Sequence, residues 1–191
     1  MLIAGVDEAG RGPLVGDVVA AAVIMPADHG VADITDSKKL THKKREYLFD
    51  LICERAIAWH IAAASPEEID RINILQASLL AMQRAVLGLK IKPETVLVDG
   101  NKCPKIPHPV EAIIQGDSKV LEISAASILA KVYRDRQLVE LDKIYPAYGF
   151  AQHKGYPTKD HMAALEKFGP IKEHRRSFAP VAKMLSLGAL V

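Results

Sequence analysis

Cysteine is scarce in this 191-residue chain: Cys53 and Cys103 stand alone, with no C-x-x-C pair. That excludes a disulfide framework, argues against a structural zinc site and suits a reducing, cytosolic compartment. Long apolar runs are also missing. The longest, Val18 to Met25, is strand-sized and falls well short of the roughly 18 residues a membrane helix needs. The chain opens directly on Leu2-Ile3-Ala4-Gly5-Val6-Asp7, without a basic n-region or a cleavage site, so no secretory signal is expected. There are no internal repeats or low-complexity tracts. No G-x-x-x-x-G-K-[ST] run exists, which removes a P-loop. Gly10, Gly12 and Gly16 space as G-x-G-x-x-x-G, and Pro13 and a β-like run follow, where a dinucleotide fold would need a helix.

What is present is a chain able to bury a core and stay soluble, with 49% hydrophobic and 25% charged residues. Its length suits one domain with at most a small appendage. Net charge is +2 but unevenly placed: residues 151–191 hold seven basic and three acidic residues, a net of +4, and residues 1–150 hold 18 and 20, a net of −2. An anionic partner and an ordinary solvated helical tail both account for this.

Hydrophobic spacing predicts strands over Leu2–Val6, Val18–Met25, Ala56–Ala64, Thr95–Val98 and Val110–Ile114. It predicts helices over Lys43–Arg55, Ile74–Leu87 and Ser124–Ile144, then short ones over Lys159–Phe168 and Pro180–Leu187. Ser65-Pro66-Glu67-Glu68 reads as a capping box with proline at the first helical position. Tyr148 to Pro157, rich in glycine, aromatic and basic residues, reads as a loop. Strands alternating with helices, then a helical tail, argue an α/β fold with a mixed, five-stranded sheet flanked by helices.

Four acids follow apolar runs. Asp7 and Glu8 close the first strand, Asp99 closes the fourth, and Asp117 follows the fifth in Gly116-Asp117-Ser118-Lys119. In open α/β sheets the carboxyl ends of strands face the binding crevice. If strands one, four and five are parallel neighbours, the acids converge there and repel one another unless a proton or cation intervenes. A hard cation with oxygen ligands, Mg²⁺ or Mn²⁺, resolves that conflict. Each acid taken singly reads equally well as a turn residue; four at three strand ends favour metal binding. Lys38, Lys39, Lys119 and Lys131 are candidate phosphate contacts or solvated lysines. Ser124 is a candidate cap of the long helix, whose N-terminus suits a phosphate.

The run Gly5-Val6-Asp7-Glu8-Ala9-Gly10-Arg11-Gly12-Pro13-Leu14 resembles the opening signature of the type 2 ribonuclease H family, ribonuclease HII. The blocks Asp36-Ser37-Lys38-Lys39-Leu40, Val98-Asp99-Gly100-Asn101, Gly116-Asp117-Ser118-Lys119 and Ser124 to Val132 resemble the family's next ones. His153-Lys154-Gly155-Tyr156-Pro157-Thr158 and His174-Arg175-Arg176-Ser177-Phe178 resemble its C-terminal ones. The resemblance spans essentially the whole chain and is to the short bacterial form, not to type 3 enzymes with their extra N-terminal domain. Asp17, where a small or apolar residue or proline is expected, and Tyr133, in place of a usual threonine, depart from the pattern.

The resemblance implies a ribonuclease H-like catalytic domain over 1–147 and a C-terminal helical segment, 148–191, that contributes to substrate binding. It implies that Asp7, Glu8, Asp99 and Asp117 hold two Mg²⁺ or Mn²⁺ ions and catalyse hydrolysis of the RNA strand of RNA–DNA hybrids. It also implies nicking 5′ of single ribonucleotides in duplex DNA, leaving 3′-hydroxyl and 5′-phosphate ends. Gly10, Arg11, Gly12 and Tyr156 would read the junction, with Lys38, Ser124, Lys131 and Arg175 as further substrate contacts; Arg175 and Arg176 would grip the duplex backbone or brace the carboxylate rim. His153, His161 and His174 are expected at the surface or on the backbone, since two-metal hydrolysis needs no histidine. The implied enzyme is a cytoplasmic monomer of DNA replication and ribonucleotide excision repair, with no membrane contact. The mildly apolar tail, Leu185 to Val191, is where a contact with a replication sliding clamp would fall, though nothing in its residues specifically supports one. Another metal-dependent nuclease or strand-transfer enzyme, and a noncatalytic nucleic-acid-binding module, are the rival readings.

Overall fold

The computed structural model describes residues 1–188. Its sheet has five strands in the order β3-β2-β1-β4-β5. They are β1 (Ile3–Ala9), β2 (Val18–Ile24), β3 (Ala58–Ala64), β4 (Thr95–Asp99) and β5 (Val110–Ile113). β1, β2 and β3 pair antiparallel, whereas β4 pairs parallel with β1 and β5 parallel with β4. The mixed, five-stranded sheet is therefore as expected, and strands one, four and five are indeed parallel neighbours.

The sequence of β2, Val-Val-Ala-Ala-Ala-Val-Ile, is buried throughout, so it needs cover on both faces. Val18, Ala20, Ala22 and Ile24 join a core with Ala77, Ala81 and Ala85 of α3 (Ile74–Leu87). Val19, Ala21 and Val23 join a second core with Leu48 and Ile52 of α1 (His42–Arg55) and with Ala125, Ile128 and Leu129 of α4 (Leu121–Ile144). Small residues on both sides let helix and sheet approach closely. Gly5 is the extreme case: a Cβ there would lie 2.1 Å from the Glu122 carbonyl carbon. The first turn of α4 thus rests directly on β1.

The Ser65 capping box forms as the sequence predicts, with Pro66 opening α2 (Pro66–Ile72). Asn73, at φ 72°, then separates α2 from α3. β1 runs past Val6 to Ala9, so Asp7 and Glu8 lie inside it rather than after it. α4 starts at Leu121, not Ser124, and Val120 caps it without a side-chain bond. The expected loop after Tyr148 contains a single turn of helix, α5 (Phe150–His153).

The segment after α4 packs onto the sheet domain. Tyr148, Phe150 and Ala164 bury against Val15 and Leu138, and Leu165 and Val181 bury against Leu14. Ala164 and Leu165 belong to α6 (Lys159–Phe168), Val181 to α7 (Ala179–Gly188). Among the described residues no helix is long and apolar enough to cross a membrane. Cys53 and Cys103 are both free.

Candidate active site

Pairing of β1 with β4 ends at Val6 opposite Val98, so Asp7 and Asp99 emerge side by side at the carboxyl ends. Side chains alternate along a strand. Val6 and Val98 face the α3 core, which turns Asp7 and Asp99 to the α4 side. β5 ends at Ile113, Gln115 takes a left-handed turn at φ 57°, and the 3-10 turn Gly116–Ser118 brings Asp117 back over the same edge. The Asp117 amide donates to Asp99 Oδ1 at 3.1 Å, and the Ser124 hydroxyl donates to the Asp117 carbonyl at 2.6 Å. As a result, one carboxylate oxygen from each of Asp7, Asp99 and Asp117 lies within 4.8 Å of the others.

Glu8 is not one of the three that meet, although its carboxyl and that of Asp7 bear on each other. It lines the same cavity, and its amide donates to Asp7 Oδ1 at 2.7 Å. Its Oε1 lies 3.7 Å from Arg11 Nη1, while its Oε2 is buried without a hydrogen-bond partner.

These acids are under electrostatic stress. Burial, then the charges of Glu8 and Asp99, hold the Asp7 carboxyl well above the usual carboxylate range. Burial is also the first cause of the upward shift of Glu8. For Asp117, burial comes first, followed by Asp99 and Asp36. A cation placed among them would relieve all three shifts at once. Converging carboxylate oxygens with no nitrogen or sulfur, beside an orphaned buried oxygen on Glu8, fit a hard divalent cation and not a soft one.

The cavity over the carboxylates is about 380 Å³ and is also lined by Gly10, Arg11, Gly12, Lys38, Lys131 and Tyr156. It thus gathers all four expected acids and six of the eight expected substrate contacts. Tyr156 is 42% exposed at its mouth, and a Cβ on Gly12 would sit 3.4 Å from its ring. Gly10 is required twice over. Its φ is +88°, and a Cβ there would come within 2.1 Å of Arg134 Nε, which suits a residue with no side chain.

Ser124 and Arg175 are not among the residues lining the cavity, and of the two expectations for Arg175 its bonds favour bracing the rim. Ser124 is the fourth residue of α4 rather than its cap, and its hydroxyl is committed to the carbonyls of Asp117 and Val120. Arg175 is 0% exposed. Its guanidinium donates to the carbonyls of Gly10, Arg11, Pro13, Gly16 and Asp17 at 2.6–3.1 Å, leaving no donor for a phosphate. It organises the turn. Burial pulls its pKa down to about 9, which still leaves it charged at neutral pH.

Arg134 plays a related part that the sequence reading does not reach. It is buried and donates to the carbonyls of Asp17, Val15 and Lys154. A charged residue at helical spacing between buried Ala130 and Leu138 is the signal that could have found it. Asp135 escapes that reading too; it lines the cavity and accepts from Lys131 Nζ at 3.0 Å, an i,i+4 pair that holds the ammonium in place. Asp17, the unusual acid, lies beside Arg175 and Arg134, whose charges partly offset the upward pull of burial on its carboxyl. It is not among the residues lining the cavity. His161 and His174 are buried rather than at the surface.

A family model described as ribonuclease HII matches residues 4–181. The chain belongs to the ribonuclease HII family. It is 59% identical over 186 residues to the ribonuclease HII of Vibrio parahaemolyticus, covering 97% of this chain and 88% of that one. Among solved structures it is similar to the ribonuclease H2 of Pyrococcus horikoshii, at 30% identity and a TM-score of 0.80 over 98% of both chains. It is also similar to the ribonuclease HII of Archaeoglobus fulgidus, solved in complex with PCNA, at 26% identity and a TM-score of 0.72 over 93% and 95%. Ribonuclease HII membership agrees with the ribonuclease H-like sheet and with the order of the acidic blocks along the chain.

Proposed function

We propose that this ribonuclease HII family member is a metal-dependent endoribonuclease that hydrolyses the RNA strand of RNA–DNA hybrids and nicks 5′ of single ribonucleotides in duplex DNA. The observation that carries the reading is the meeting of Asp7, Asp99 and Asp117 within 4.8 Å in a cavity whose mouth holds Gly10, Gly12 and Tyr156. Two divalent cations, Mg²⁺ or Mn²⁺, would activate a water and stabilise the leaving oxygen there. Asp7, Asp99 and Asp117 would hold them, with Glu8 completing the set through its buried carboxylate.

The remaining roles belong to the chain itself. Lys131, steadied by Asp135, and Lys38 would meet backbone phosphates as point charges. The backbone of Gly10-Arg11-Gly12 would approach a ribose edge closely, where a 2′-hydroxyl both donates and accepts hydrogen bonds. Tyr156 would pack against the neighbouring sugar. Residues 148–191 would contribute to substrate binding through that tyrosine. A cytoplasmic monomer completes the reading. The C-terminal tail, where a sliding-clamp contact would fall, ends in residues outside those described.

The test is cleavage of a DNA duplex carrying one ribonucleotide, with Mg²⁺, Mn²⁺ or EDTA, beside Asp7→Asn. A metal-dependent nick on the 5′ side, with 3′-hydroxyl and 5′-phosphate ends and lost in the variant, is the expected result. Cleavage of a continuous hybrid alone would keep the metal site and remove the junction-reading role. No cleavage of either substrate by folded protein would leave a binding module.

A further inference from the structure

Three histidines lie outside the carboxylate site yet converge on the backbone of Tyr156. His161 and His174 are 0% and 1% exposed, and their Nε2 atoms are 3.0 Å apart. At one end the Ile171 amide reaches His174 Nδ1 at 3.0 Å. At the other, His161 Nδ1 lies 2.9 Å from the Tyr156 carbonyl. An amide N–H only donates and a carbonyl only accepts, so both ends dictate the same proton placement. His174 Nδ1 is bare and its Nε2–H donates to His161 Nε2. His161 Nε2 is therefore bare and its Nδ1–H donates to Tyr156. The direction is fixed twice over, and a second proton on either ring would oppose two donors. Burial, the first cause, together with the neighbouring rings brings His174 down to about 3, in keeping with a neutral pair.

His153 reinforces the arrangement. Its ring stacks on His161 at 4.3 Å, its Nδ1 accepts from the Gly155 amide at 3.1 Å, and its Nε2 is bonded to the Tyr148 carbonyl at 2.7 Å. The far end of the relay is tied to the glycine turn. His174 bridges to Val15, and the Gly16 and Arg175 amides donate to the Glu173 and Leu14 carbonyls at 2.9 and 2.8 Å. The segment that follows Gly10-Arg11-Gly12 is thus joined to the peptides flanking Tyr156 twice, directly where the Leu14 amide donates to the Gly155 carbonyl at 2.8 Å and through the histidines to the Tyr156 carbonyl.

We propose that His161 and His174 are positioning residues for junction specificity: a neutral, one-directional relay that sets Tyr156 over Gly12. Neither touches substrate; they act through the Tyr156 peptide. The inference rests on the proposed role of Tyr156 and adds what holds that residue in register. Displacing a substrate-positioning group by about 1 Å costs roughly 100-fold in rate, and neither histidine is among the residues lining the carboxylate cavity.

Two measurements test it. The first is long-range ¹H–¹⁵N spectroscopy of the wild-type histidines, which reads tautomers directly and needs no variant. His161 is expected as the Nδ1–H form and His174 as the Nε2–H form, both neutral at neutral pH. An Nε2–H His161, or a charged ring in either, overturns the relay. The second is kcat/KM on a single-ribonucleotide duplex divided by kcat/KM on a continuous hybrid, with folding checked by circular dichroism. His161→Phe keeps an aromatic ring but neither accepts nor donates, and this ratio should fall by about tenfold or more. His161→Gln, whose amide can do both, should recover much of it. An unchanged ratio in folded His161→Phe overturns the positioning role while leaving Tyr156 itself intact. Wild-type protein that fails to cut the single-ribonucleotide duplex is a different result: it overturns the junction reading, and the relay's role with it.

Discussion

Asp7, Asp99 and Asp117 reach the cavity from adjacent parallel strands and the turn that follows them, whereas the rim above them is held from far along the chain. Arg175 bonds the Gly10 carbonyl across 165 residues, and Arg134 bonds that of Val15 across 119. The floor and the rim also carry opposite electrostatic stress. Floor carboxyls are pushed up by burial and by one another; rim histidines are pushed down by burial. The floor brings together carboxylate oxygens that could hold a cation, while most polar groups of the rim bond one another. The two halves of one cavity are thus built differently: the rim is preorganised by bonds it makes with itself, and the floor gathers acids whose carboxyls are raised by burial and by one another.

The comparison can be broken most severely at the floor. Asp7→Asn should lower the cleavage rate by more than the roughly 100-fold typical of losing an outer partner of a metal site, with its circular dichroism spectrum unchanged. Near-wild-type activity would dissolve the distinction. At the rim, Arg175→Met should instead act on folding. It strands five carbonyls that now accept from one buried guanidinium, so the expected loss is at least about 3 kcal/mol. At about 2–4 °C per kcal/mol for a chain this size, Tm should drop by roughly 6–12 °C or more in a thermal melt.

Tyr156→Ala tests the exposed edge of the rim. Aromatic packing on nucleic acid is worth about 1–3 kcal/mol, so single-ribonucleotide cleavage should fall roughly tenfold to hundredfold with little change in Tm. A rate equal to wild type would remove the tyrosine from the site.

The pH response should separate the halves by sign. Asp7, Glu8 and Asp117 have raised folded-state values, so their contribution to stability is present below the unfolded value of about 4 and lost as pH rises through the folded values. His161 and His174 are lowered. Their contribution is present above about 6.5 and lost as pH falls through the folded values, about 3 for His174. Metal-free Asp7→Asn should therefore melt higher than metal-free wild type near neutral pH, with the gap closing toward about pH 4. Adding Mg²⁺ or Mn²⁺ should raise the Tm of wild type and leave the variant nearly unmoved. A gap that widens on acidification would reverse the assignment. The smallest effect is expected from Lys38→Ala, which should reduce the salt dependence of duplex binding by about one unit of log–log slope.

Much of the floor is legible in the sequence alone. β4 and β5, whose ends lead into Asp99 and Asp117, appear within a residue of their expected bounds, whereas β1 runs on past Asp7 to Ala9. The Ser65 capping box is local chemistry and forms as read. Glu8 shows where local reading stops: it follows Asp7 in sequence and lines the same cavity, yet it is not one of the three acids whose oxygens meet. Ser124 shows another limit. It looks like a cap, but Gly5 lets the turn before it pack against β1, and the helix begins three residues earlier.

The sequence by itself determined the periodicities, the strand ends and the residue types suited to a hard cation, because those depend on neighbours within a few positions. Only the tertiary structure decided that Arg175 and Arg134 face inward, that the histidines form a neutral relay, and that Asp17 sits beside two guanidiniums. A basic residue in a polar stretch reads as a surface charge until the chain brings backbone carbonyls to it. Those carbonyls, at Gly10, Arg11, Pro13, Val15, Gly16 and Asp17, belong to a turn with no ladder of its own. Unpaired backbone oxygens in a buried turn must find donors, and only the folded chain brings those donors from more than a hundred residues away.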